Sequence, residues 1–99
     1  MILRRILEPC YDVDAAFKGA AVFEPGTGMD NVFYDVKSAY DCQKECQRWA
    51  GCEYFTWNSG TGPGRWNKKN ANTCWLKREK VNVMRRNKDS GKISGPREC

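Results

Sequence analysis

Six cysteines, at positions 10, 42, 46, 52, 74 and 99 of a 99-residue chain, constrain this sequence more than any other feature in it. A chain this short buries only about two-thirds of its unfolded surface, and small cores are commonly supplemented by covalent staples or a metal. An even number of cysteines in a short, hydrophilic chain reads as three disulfides, which form and persist in oxidising, secreted compartments. A reduced cytosolic protein with incidental thiols is the plain alternative, and zinc is the sharper one. Structural zinc sites use paired C-x2-4-C knuckles, commonly completed by histidine. Only Cys42-x3-Cys46 has knuckle-like spacing here, the other four cysteines stand alone, and the chain has no histidine. Such spacing suits bridges better than a four-ligand metal site.

The missing histidine reaches further. It removes the serine–histidine and cysteine–histidine nucleophile pairs and the commonest general base at neutral pH. The twelve acids, among them Asp12, Asp14, Asp30, Asp35, Asp41, Glu45 and Glu53, are scattered beside turns or along a polar helix face, which reads as solvated charge. Gly60, Gly62 and Gly64 lie in a loop with no helix pattern after them, so no phosphate-cradling motif is present. The expectation is a non-enzymatic chain without a cofactor. No segment has the apolar length to span a membrane or to act as a secretory leader, so no membrane insertion is expected. A secreted module without its own leader is most simply a piece of a larger precursor, with Met1 an initiator supplied for expression. Residues 1–9 are then a linker or foreign segment, and 10–99 a single domain.

Residues 38–51 carry the strongest helical signal. Ser38 can serve as N-cap, Asp41 stands three residues on, and Gly51 supplies a left-handed stop. Ala39, Cys42, Cys46 and Trp49 form one apolar stripe, with Gln43, Lys44, Gln47 and Arg48 on the opposite, solvated side. Cys42 and Cys46 are one turn apart and point the same way, so each should reach a different partner. Short strands are expected around the helix: Ala20–Phe23 and Asn31–Val36 flanking a Pro-Gly-Thr-Gly turn, then Glu53–Asn58, Thr73–Lys77, Val81–Met84, and Lys92–Ser94 as an edge strand before a turn at Gly95-Pro96. Phe55 and Trp57 alternate onto one face, and Trp49, Trp57 and Trp75 read as core packing. The fold class is α+β, a small disulfide-rich domain of one helix and short antiparallel strands. Residues 59–72 form one long loop, and loops of that length are usually functional or mobile.

Val36-x-Ser38-x3-Cys42-Gln43-x2-Cys46, Gly51-Cys52-x2-Phe55-Thr56-Trp57, Cys74-Trp75-Leu76-Lys77 and Ser94-Gly95-Pro96-x2-Cys99 together resemble the apple or PAN domain, from Cys10 to Cys99. More narrowly, the chain is similar to apple modules strung in tandem in microneme adhesins of apicomplexan parasites such as Eimeria. The resemblance implies a sheet of about five antiparallel strands cradling one helix. It also implies nested bridges Cys10–Cys99, Cys42–Cys74 and Cys46–Cys52, a choice that spacing alone cannot make among fifteen pairings. In the chain-entropy view the short loop contributes roughly 2 kcal/mol and the long ones about 4 to 5 kcal/mol. Apple modules lacking the outer pair are common, which makes Cys10–Cys99 the most dispensable of the three.

Charge marks where binding could sit. Residues 65–99 hold eleven Lys and Arg against three acids, a balance of +8, whereas residues 1–64 carry −3, for a net +5. A one-sided basic surface attracts polyanions. Lys77, Arg78, Lys80, Arg85, Arg86 and Lys88 are candidates, though lysines along strands also simply solvate edges and discourage edge-to-edge pairing. Arg65-Trp66-x-Lys68-Lys69 is the sharper candidate: an exposed indole among cations could stack on a sugar face while the cations meet sulfate or carboxylate. The alternative has Trp66 folding back to plug the domain edge. Secretion argues against nucleic acid as a partner. The expected chain is an extracellular binding or adhesion module of a larger secreted protein, monomeric in isolation and packed beside neighbouring apple modules. Its partner would be a cell-surface protein or a glycan, sulfated or not, on a host cell. The narrower resemblance implies storage in a secretory organelle, the microneme. The same resemblance allows an accessory, partner-docking apple domain of a secreted serine-protease zymogen, and a spacer with no ligand is the third reading.

Overall fold

Period-two alternation in three central segments decides the architecture. The structure is a computed structural model that describes residues 10–20, 22 and 31–99. Its strands are β1 (Asp12–Val13), β2 (Ala16–Lys18), β3 (Val32–Phe33), β4 (Tyr54–Asn58), β5 (Thr73–Lys77), β6 (Asn82–Met84) and β7 (Lys92–Pro96). Its helices are α1 (Ala39–Arg48), the short α2 (Arg65–Lys69) and a 3-10 turn at Asn87–Asp89. Five strands make an antiparallel sheet in the order β1-β7-β4-β5-β3, and β2 pairs with β6 in a separate antiparallel ribbon. This is the α+β arrangement of one main helix against a five-stranded sheet.

In β4, Phe55 and Trp57 point to one face, and in β5 Cys74 and Leu76 do the same. With Ala39, Cys42, Cys46 and Cys52 they form the core under α1, where Phe55 and the four cysteines have no exposed surface. Helix α1 starts where Ser38 Oγ accepts the Asp41 N–H at 3.0 Å. It stops at Arg48, with Trp49 already extended and Gly51 (φ +91°) turning the chain back toward β4. Cys42 joins Cys74 on β5, Cys46 joins Cys52 in the turn just past the helix, and Cys10 joins Cys99. Only the first bridge ties the helix to a strand; the second closes the helix end on itself.

Several expectations need correction. Gln43 is not on a solvated side. It is buried, accepting from Tyr11 Oη and donating to the Pro96 carbonyl, both at 3.0 Å, because the edge of the helix stripe is covered by the two ends of the domain. Gln47 is exposed, as expected, and donates to the Arg97 carbonyl at 2.9 Å. Strand β7 does not end before Gly95-Pro96 and is not an edge: it runs through Pro96 between β1 and β4, since Gly95 lets Tyr11 and Phe55 close over it. The strand expected over Asn31–Val36 shortens to Val32–Phe33, and that over Val81–Met84 to Asn82–Met84. Ala20 and Val22 lie in no strand; the rest of that expected strand, the Pro-Gly-Thr-Gly turn and residues 1–9 fall outside the described residues.

Candidate functional site

The alternation that sends Cys74 and Leu76 toward α1 sends Trp75 and Lys77 to the opposite face of the sheet. Trp75 is therefore only half-buried and lies outside the core under α1, contrary to its expected packing role. Register sets Thr56 beside Trp75 on one side and Ser94 on the other. The β2–β6 ribbon lies over this face and is fixed there by a buried relay. The Phe17 N–H donates to Thr56 Oγ1 (3.0 Å), the two hydroxyls of Thr56 and Ser94 are 2.7 Å apart, and Ser94 Oγ donates to the Ala15 carbonyl (2.8 Å). Buried donors and acceptors that are all satisfied hold a unique register. Between ribbon and sheet remains a cavity of about 170 Å³, lined by Phe17, Lys18, Thr56, Trp66, Trp75, Lys77 and Lys92 among others.

Trp66 arrives from the loop over 59–72, which is not structureless: Gly64 (φ +92°) leads directly into α2. Sequence periodicity missed this helix because asparagines, not an apolar stripe, anchor it. Buried Asn58 donates from Nδ2 to the carbonyls of Asn67 (3.2 Å) and Asn70 (2.9 Å). Buried Asn67 donates from Nδ2 to those of Pro63 (2.6 Å) and Lys88 (3.1 Å). Gly62 sits so close to the Ser90 carbonyl that a β-carbon would collide with it. The indole of Trp66 stays 54 % exposed while stacking on Trp75, with centroids 6.1 Å apart and planes 11° from parallel. Trp66 thus packs against the sheet yet presents a wide face to solvent. On its other flank lies a second cavity of about 530 Å³, lined by Lys18, Arg65, Trp66, Asn67, Arg86, Lys88 and Lys92 among others.

Asp89 organises the cations behind Trp66. Its carboxylate, with no exposed surface, accepts from Arg86 Nε (2.8 Å), the Arg86 backbone N–H (3.0 Å) and Lys92 Nζ (3.0 Å). Burial by itself would raise its pKa, but these bonds prevail and hold it at about 2, below the ordinary 3.8. Lys92 Nζ also lies 4.8 Å from the Trp66 ring centre, so the Asp89 pair props the indole. A carboxylate whose folded pKa is depressed stabilises the fold above its unfolded value and loses that contribution as pH falls through the folded one. Between pH 4 and about 2, Trp66 should therefore come loose from Lys92. Tryptophan emission in an Asp89→Asn variant, measured at neutral pH, should already resemble that of the acid state; identical acid titrations of variant and parent would contradict the role given to Asp89.

Of the sequence candidates, Arg65, Trp66, Arg86 and Lys88 converge on the larger cavity and Lys77 on the smaller. Lys68 and Lys69, exposed on α2, line neither. Lys80 lies over the rings of Phe17 and Tyr54, 4.9 and 5.4 Å from their centres, and Arg85 pairs with Asp12 at 2.7 Å. Arg78 is exposed, its backbone N–H donating to Ala20. Sequence reasoning missed Lys18, Trp75, Lys92 and Asn67. The signal for Trp75 was present, since assigning Cys74 and Leu76 to the core places Trp75 across the sheet. Among the described residues no carboxylate pairs with Lys18, Arg65, Lys77 or Lys88. Burial, then the like charge of Lys18, pushes the Lys77 ammonium below its ordinary value, as expected where two cations share a site without an anion.

Because all six cysteines are oxidised, none is available as a thiolate ligand. The arrangement is thus an aromatic ledge between two cavities, bordered by uncompensated positive charge. A family model described as PAN domain matches residues 16–99 of the chain. No curated protein matches it.

Proposed function

This chain belongs to the PAN domain family, and from that premise we propose that it is an adhesion module of a larger secreted protein, engaging host cell-surface ligands through the basic ledge around Trp66. PAN domains are protein- and carbohydrate-binding modules of extracellular proteins rather than a catalytic family. The observation that carries the reading is the convergence of Lys18, Arg65, Lys77 and Lys88 on an exposed indole, with no carboxylate to neutralise them among the described residues. Clustered cations beside low-dielectric walls focus their field and draw anionic surfaces toward them. Three disulfides suit the oxidising exterior in which such ligands occur. The finer reading, a module from a tandem array like those of microneme adhesins, is part of this proposal and rests on the overall sequence resemblance alone. A tandem array would turn weak single-site binding into avidity through effective concentration.

Retention on a heparin column tests this. The parent domain should be held at low salt and released as screening rises. Combined Lys18→Gln, Arg65→Gln and Lys88→Gln replacement should abolish retention, whereas Lys68→Ala with Lys69→Ala should shift elution only slightly. Equal losses in the two variants would remove the ledge from the site; a parent protein that flows through at low salt would remove the reading.

A further inference from the structure

We infer that the Trp66–Trp75 ledge is the seat of an acidic oligosaccharide, laid across the indole of Trp66 with an anionic group between Lys18 and Lys77 and a hydroxyl donated to Asn67. The inference rests on the adhesion reading and narrows its ligand to a chemical class. Three observations meet at this point in the fold.

The first is shape. Two indoles within 11° of parallel, one 54 % exposed, make a flat apolar platform. A sugar ring has an equally flat face of C–H groups, and indole faces, negative at their centres, attract the positive edges of such groups. An acidic peptide side chain has no comparable face. The second is charge. Arg86 and Lys92 are already committed to Asp89, so they are positioning residues that hold the ledge. Lys18 and Lys77 have no carboxylate partner among the described residues and share the smaller cavity with Trp75. Their mutual repulsion, relieved by a sulfate or carboxylate, turns a cost of the free protein into ligand affinity.

The third is an orphaned acceptor. Asn67 is 1 % exposed and lines the larger cavity; both protons of its Nδ2 are taken by the Pro63 and Lys88 carbonyls, which leaves its Oδ1 with no donor. A buried acceptor without a partner is uncommon in folded proteins and marks a place where a donor belongs. Carboxylates and sulfates bring only acceptors. Sugar hydroxyls bring donors, so a ligand carrying both anion and hydroxyl answers the cavities on both sides of Trp66.

The test uses the oxidised full chain and a heparin-derived tetrasaccharide, followed by tryptophan emission and calorimetry. The tetrasaccharide should saturate binding and change the emission. Trp66→Ala should weaken it at least tenfold with the folded backbone retained by circular dichroism, and Lys18→Gln with Lys77→Gln should weaken it as far without lowering the thermal melt. A tetrasaccharide whose free hydroxyls are methylated, with its sulfates kept, should bind roughly tenfold more weakly, the cost of leaving one buried acceptor unpaired. Polyglutamate of matched charge should compete poorly. If polyglutamate binds as tightly, and Trp66→Ala leaves both affinities unchanged, the saccharide seat is wrong while the basic adhesive face survives. If neither polyanion binds the parent protein, the adhesion reading goes with it.

Discussion

Replacing Cys42 and Cys74 together by alanine will cost the domain about 4 kcal/mol, enough to leave it largely unfolded at physiological temperature. The figure follows from the sequence separation of 32 between the two cysteines: releasing that loop returns to the unfolded chain the entropy its closure had removed. Domains of this size are stable by about 5–15 kcal/mol in total, so one such loss takes a large share of the margin. Packing adds to it. Both sulfurs are fully buried between α1 and β5, beside Phe55 and Leu76, and their removal leaves space that the core cannot refill. The Cys10–Cys99 bridge provides the contrast, because it spans 89 residues yet lies exposed. Its loss releases a similar entropy but opens no hole in the core. Urea denaturation of the two double variants measures the difference; since the longer loop releases about 1 kcal/mol more entropy, a Cys42–Cys74 variant more stable than the Cys10–Cys99 variant by that amount would show that the helix–strand bridge contributes nothing through packing.

Arg97→Ala should be the most damaging single change outside the cysteines and the apolar core, at roughly 2–3 kcal/mol. One guanidinium donates to the carbonyls of Cys46 (3.2 Å), Trp49 (2.7 Å) and Cys52 (2.9 Å) through one nitrogen, and to that of Gln47 (2.7 Å) through another. These carbonyls belong to the end of α1 and the turn after it, where the last helical C=O groups lack intrahelical donors and the helix dipole is negative. Hydrogen bonds from a charged group contribute about 1.5–3 kcal/mol, and removal of the donor takes a charged partner from four carbonyls at once, of which those of Cys46 and Trp49 keep a single backbone donor each. Arg97→Lys should recover less than half, since a single ammonium cannot span the fork that the guanidinium fills. Hydrogen exchange at the Trp49 and Cys52 amides, which bond to Cys46 and Trp49, should accelerate in Arg97→Ala. Unchanged exchange there would mean that the cap is redundant with the Cys46–Cys52 bridge.

Arg97 also shows why part of the fold was hidden in the sequence. Among eleven basic residues after position 64 it reads as one more surface charge, and only the return of β7 alongside the end of α1 brings it to those carbonyls. Gln43 is the same case: helical periodicity puts it beside the apolar stripe, but its burial depends on Tyr11 and Pro96, 32 residues before and 53 after. Helix α2 was invisible for a different reason. Its anchors are the side-chain amides of Asn58 and Asn67, and amide bonds to backbone carbonyls leave no apolar period to detect.

What the chain determined by itself was local or compositional. Alternation in Tyr54–Asn58 and Thr73–Lys77 and the capped stripe from Ser38 are repeats readable within ten residues, because side-chain direction follows backbone geometry. Six cysteines without histidine determined that covalent staples would supplement a small core. What tertiary structure decided was convergence. Lys18, Trp66, Lys77 and Lys92 come from four separate segments, and they meet only because β4 pairs with both β5 and β7 while the Thr56–Ser94 relay seats β2 above them. Register between distant strands is set by the sum of many burial and hydrogen-bond energies across the whole domain, and no stretch of neighbouring residues encodes it.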